Sequence, residues 1–147
     1  MLQRLLDSLT DSRVQNIKVN EEGGCALTFN GNIIVNMDYD DELDLLTFYC
    51  RLGMIAPDQV GTIYPLLLEA NVLWAGTGGA TLGVIPDDRS VVLAYQEKAA
   101  AIDGQRFEGL LNGLVDAAEF WMKLIEDRSR EAPEIFAGGL HMSHYRA

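Results

Sequence analysis

Apolar residues along this chain fall into two rhythms. Leu2, Leu5, Leu6 and Leu9 recur at helical spacing and predict a short amphipathic first helix. After the break "EEGG" at residues 21–24 the period drops to two. Cys25, Leu27 and Phe29 alternate with Ala26, Thr28 and Asn30. The Asn30-Gly31 pair is a hairpin signal, and Ile33, Val35 and Met37 continue the alternation beyond it. A third strand, "LDLLTFYCRL", follows the acidic loop "DYDDE". It carries Leu46, Phe48 and Cys50 on one face and Leu45 and Tyr49 on the other. These segments predict an antiparallel meander of three strands.

From "APDQVGTIYPLLLEANVLWAG" the period turns helical again. Asp58 and Thr62 are the candidate N-caps, and Pro65 favours the later start because proline suits a first turn. Val60, Tyr64, Leu67 and Trp74 form one line, and Ile63, Leu66, Ala70 and Leu73 form a second. A helix apolar on so much of its circumference needs cover on more than one side. A second copy of the chain is the simplest cover. Gly76 is placed to end this helix in a left-handed conformation. "ATLGVI" and "SVVLAYQ" are two further strands around the turn "PDDR". The last helix runs through Phe107, Leu110, Leu111, Leu114, Val115, Ala118, Trp121, Met122 and Ile125, and at 1.5 Å per residue it extends to ~40 Å.

The expected order is α-β-β-β-α-β-β-α: an α+β fold with a twisted, mostly antiparallel sheet packed by helices. Residues 1–132 form a single domain on this view, and 133–147, which show no period, are expected to be a flexible tail.

Composition narrows the function. The chain has 147 residues, nearly half of them apolar, enough for one real core. Its formal net charge of −11 opposes nucleic acid and anionic lipid surfaces. The segment "MLQRLLDSLTDSR" is broken by Arg4 and Asp7, so it is not a signal peptide, and no run approaches the ~18 apolar residues of a membrane span. Cys25 and Cys50 read as buried thiols of a reducing, cytoplasmic compartment.

The chemical motifs are weak. Gly76, Gly78, Gly79 and Gly83 look like a phosphate loop, but the order is helix, glycines, strand. Phosphate loops run strand, glycines, helix, so that helix N–H groups meet the anion. A nucleotide-binding enzyme using the Gly76–Gly83 loop is therefore the least favoured of three functions. Asp38, Asp40, Asp41, Glu42 and Asp44 miss the calcium-loop template, which wants glycine where Leu43 stands and glutamate where Tyr49 stands. His141 and His144 have no metal-ligand framework beside them, and no catalytic centre can be assembled. No metal, cofactor or catalytic residue is expected. What remains is surplus apolar surface, which suits a binding module.

"LLLEANVLWAGTGGATLGVIPDDRSVVLAY" resembles the signature segment of the type III secretion chaperones of the Tir chaperone (CesT-like) family, class I. "LDLLTFYCRLG" resembles that family's third strand and "FEGLLNGLVDAAEFWMKLIE" its last helix, and the likeness extends over about residues 1 to 130. The resemblance implies an acidic bacterial homodimer that uses no ATP and catalyses nothing. It would hold the N-terminal segment of a secreted effector in extended form, soluble and ready for export, with the ATPase of the export apparatus as a further partner. It implies effector contacts on the first helix and the strands, for which the candidates are Leu2, Leu5, Leu6, Leu9, Phe29, Ile33, Val35 and Phe48. Simple core positions are the competing explanation for them. It places the dimer interface on the middle helix and the next strand, with Ile63, Leu66, Leu67, Leu73, Trp74, Leu82 and Val84 as candidates. The alternative is an adaptor of the same fold that sequesters a regulator of secretion genes.

Overall fold

The hairpin at Asn30-Gly31 forms as its sequence demands. Strands β2 (Gly24–Phe29) and β3 (Ile33–Asp40) pair antiparallel, and both turn residues adopt positive φ, 53° and 81°. The structure, a computed structural model, describes residues 1–10, 13–20 and 22–130. The expected tail at 133–147, with His141 and His144, lies outside them. The other elements are α1 (Leu2–Asp7), β1 (Val14–Val19), β4 (Leu45–Met54), α2 (Val60–Asn71), β5 (Thr81–Ile85), β6 (Ser90–Lys98) and α3 (Gly104–Ser129). Six antiparallel strands form one sheet in the order β1-β2-β3-β4-β6-β5.

The α+β class and the antiparallel sheet are as expected, but the meander holds one more strand. β1 escapes a search for alternation because nearly all its residues are exposed and a register shift between Val14 and Asn16 breaks its rhythm. The first helix stops at Asp7, so Leu9 lies beyond it, half-buried against the core.

Long α3 lies over β3 and β4. Asp103 caps its start by accepting the Arg106 N–H at 2.7 Å. Phe107 meets Phe48 at 6.1 Å between ring centroids, and Phe48 meets Tyr95 at 6.4 Å. Alternation decides which strand residues go inside: Leu46, Phe48, Cys50 and Leu52 of β4 are buried, while Leu45, Thr47 and Tyr49 are half-exposed on the far face. Polar contacts pin α3 across the N-terminal strands, among them Asn30 to Glu119 at 2.7 Å and Arg13 to Asn112. Cys25 and Cys50 are free thiols in the core; burial pushes Cys50 up to about 12 and Cys25 up as well.

Two details of α2 differ from expectation. The helix begins at Val60 after a 3₁₀ turn, Gln59 stands at its N-cap, and Pro65 sits inside it. The carbonyl that Pro65 leaves unpaired, that of Gly61, is at the exposed start of the helix where water reaches it. The left-handed residues at its far end are Leu73 and Trp74, at φ 51° and 57°, and not Gly76. Gly76 serves close packing instead: a Cβ there would stand 2.7 Å from the Ala70 Cβ.

Candidate interaction surfaces

A sheet with two free edges offers two templates for an extended chain. Here the two edges differ. Leu82 faces away from β6, and the Asn71 side chain fills its place: Nδ2 donates to the Leu82 carbonyl at 2.8 Å, and Oδ1 accepts the Leu82 N–H at 2.9 Å. α2 thus occupies the β5 edge at Leu82 with a side-chain amide.

Among the described residues, the β1 edge has no such plug. The Asn20 N–H donates to the Gly24 carbonyl at 2.9 Å. Antiparallel alternation then puts Ile17 and Val19 at positions whose main-chain groups point away from β2. Ile17 stands opposite Leu27 and Val19 opposite Cys25, so their side chains share the face on which those two are buried. Yet Ile17 is 47% and Val19 57% exposed. The apolar face of the sheet therefore runs out from under its helices at this edge.

The second surface is the end of α2. Leu68 and Val72 lie four apart, and with Leu73 and Trp74 they are exposed by 69%, 63%, 84% and 55%. Phe120 of α3 is exposed too, edge-on to Trp121 at 5.5 Å. The Trp121 indole N–H reaches back to the Gly76 carbonyl at 2.9 Å and ties α3 to the loop after α2.

A groove of about 640 Å³ lies between that loop and α3, lined by Gly78, Gly79, Tyr95, Arg106, Gly109 and Gly113 among others. Glu97 accepts from Arg106 Nη2 at 2.5 Å and Nε at 3.0 Å, and from the Tyr95 hydroxyl at 2.5 Å. The Arg106 hydrogen bond holds the Glu97 carboxyl below the usual range, aided by Tyr95, while the bond to Glu97 pushes the Tyr95 phenol up. This groove suits no phosphate. The N-terminus of α3 is already capped by Asp103, Arg106 is engaged, and α2 aims its carbonyl end at the glycines. Among the described residues, no three potential metal ligands converge, and no helix is long and apolar enough to cross a membrane.

The residues singled out from sequence divide. Of the effector candidates, Leu2, Leu5, Leu6, Phe29, Ile33, Val35 and Phe48 are buried in this chain's own core, and Leu9 is half-buried. Ile17 and Val19 are the uncovered apolar residues beside them on the sheet. Of the interface candidates, Ile63, Leu67 and Leu82 are core, Leu66 and Val84 are partly buried, and Leu73 and Trp74 are exposed. Leu68 and Val72 belong with the exposed group, and their spacing of four was the available signal.

Comparison with known proteins agrees with this architecture. The profile of the Tir chaperone protein (CesT) family matches residues 4–122. A chain of the crystal structure of the ExsC-ExsE complex is 28% identical, covering 74% of this chain and 80% of that one, with a TM-score of 0.60. The Yersinia pestis type III secretion chaperone SycH, solved in complex with a stable fragment of YscM2, is 23% identical over 80% of this chain and 96% of that one, with a TM-score of 0.60. A chain of the HopA1-SchA chaperone-effector complex is 13% identical, covers 86% and 92%, and also has a TM-score of 0.60. These last two show the shared fold. No curated protein matches the chain.

Proposed function

This chain belongs to the Tir chaperone protein (CesT) family, and from that premise we propose that it is a type III secretion chaperone. It holds the N-terminal segment of a secreted effector in extended form, in the bacterial cytoplasm, and keeps it competent for export. The work is binding alone, without ATP or catalysis, and delivery is to the export apparatus and its ATPase. The supporting observation is the asymmetry of the sheet: Asn71 occupies one edge at Leu82, while Ile17 and Val19 stand uncovered beside the other. An extended segment adds to that edge through main-chain hydrogen bonds, and its alternate side chains extend the apolar face. Ordering such a segment opposes binding, so a large wrapped area is required. A structure solved as a chaperone-effector complex, HopA1-SchA, supports this reading.

The working form is a homodimer joined through the end of α2. Leu68, Val72, Leu73 and Trp74 are its exposed candidates, with Leu66 and Val84 at the margin.

Hydrogen exchange tests the client contact. The chaperone is mixed with the N-terminal segments of exported proteins encoded beside it. The expected result is at least tenfold slower exchange at the Ile17 and Val19 amides in the complex. Tight binding with no added protection along β1 would reject strand addition. Binding of none of these segments would reject the chaperone function.

A further inference from the structure

The exposed end of α2 is too small to hold two copies together alone. Trp74, about half exposed, offers roughly 140 Å². Three aliphatic neighbours do not raise that to the ~800 Å² per partner of a standard interface. The contact must extend onto adjoining surface, and on the side away from Leu66 and Val84 the groove lies next to Trp74 along the chain. The Trp74 carbonyl accepts the N–H groups of Thr77 and Gly78, so the indole and the groove flank one short loop.

The groove has room for a large side chain, between polar residues (Thr77, Asp103, Gln105 and Arg106) and an apolar wall. Its α3 wall is glycine at 109 and 113, and outside the helix no described atom lies within 4 Å of where either Cβ would stand. Tyr95 and Leu110 supply apolar wall. At the rim the Arg106 guanidinium is half exposed and fixed in position by its two bonds to Glu97. A guanidinium so held presents its face to an aromatic ring. The chain carries its own complement a few residues away: a tryptophan exposed in a left-handed turn.

We infer that Trp74 of each protomer inserts into the groove between the Thr77–Ala80 loop and α3 of a second copy, and that this reciprocal contact locks the homodimer. It rests on the homodimer reading above. Under a two-fold axis such a contact is reciprocal, so it closes on itself and does not propagate into fibres.

The test is complementation, read by sedimentation over a dilution series. Trp74→Ala removes the prong. Gly113→Leu fills the groove at an exposed helical position where leucine is a better helix former than glycine. Each variant alone is expected to weaken dimerisation at least tenfold, as loss of a tryptophan hot spot does. Mixed in equal amounts, they should form heterodimers tighter than either homodimer, because the Gly113→Leu chain still carries a prong and the Trp74→Ala chain an empty groove. A mixture no tighter than the two separate homodimers overturns the inference, and misfolding of one variant is read from its circular dichroism and replaced by Gly109→Leu. A wild-type dimer indifferent to both substitutions also overturns it, while leaving the dimer standing. A wild-type chain monomeric at every concentration removes the homodimer itself.

Discussion

The side-chain amide of Asn71 grips both main-chain groups of Leu82, at 2.8 and 2.9 Å, in the way a neighbouring strand would. One residue at the end of a helix thereby occupies a sheet edge at Leu82. It also anchors the segment from which Leu73 and Trp74 project.

Replacing Asn71 by alanine strands the Leu82 N–H and carbonyl. The expected cost is about 1–3 kcal/mol of unfolding free energy, measured by urea denaturation. Asn71→Asp keeps the acceptor for the Leu82 N–H but sets a carboxylate oxygen against the Leu82 carbonyl, so it should not restore wild-type stability. Wild-type stability in the alanine variant would mean that the fork is incidental.

Proline at position 19 removes an N–H that points outward from β1 and spares the ladder to β2. Val19→Pro is expected to stay folded and to bind a client segment at least tenfold more weakly. Lys18→Pro is the contrast: it deletes an inward N–H of the Lys18–Ala26 pair and should destabilise the strand itself. Titration calorimetry and thermal melts on both variants separate these effects, and unchanged client affinity in Val19→Pro would rule out pairing at this edge.

Gly76→Ala drives a methyl to 2.7 Å from the Ala70 Cβ. A loss of about 1–3 kcal/mol is expected for such overpacking. The clash has a named partner, so Ala70→Gly in the same chain should recover part of it. The double variant should be less destabilised than the sum of the two singles, a coupling that denaturant melts resolve.

Glu97 titrates lower in the folded chain than in the unfolded one, chiefly because Arg106 bonds its carboxylate. Its contribution is therefore complete above the unfolded carboxylate range, about pH 4.3, and is lost as pH falls through the lower, folded value. Between about pH 6 and pH 3 the wild type should lose more melting temperature than Glu97→Gln does. Equal losses in the two proteins would mean that the Arg106 bridge does not act as an electrostatic link.

Much of the fold was legible because one-dimensional periods map onto faces. Leu46, Phe48 and Cys50 alternate and are buried; Phe107, Leu111, Leu114 and Ile125 keep helical spacing and are buried. Asn30-Gly31 announced its hairpin. β1 was not legible, since an edge strand with a shifted register and exposed residues carries little period. The expectation for Gly76 failed because glycine at a helix end has two uses, positive φ and close approach, and only the position of Ala70 tells which applies.

The sequence by itself determined the class, the order of most elements, which residues are apolar and the surplus of apolar surface in α2. Local spacing and turn chemistry suffice for those. Only the tertiary structure decided what covers each apolar face. Leu2, Phe29 and Val35 have the same character as Ile17 and Val19, yet the first three lie inside and the last two stand at a bare edge. Burial depends on which distant segment arrives overhead, and no period along the chain encodes where α3 stops covering the sheet.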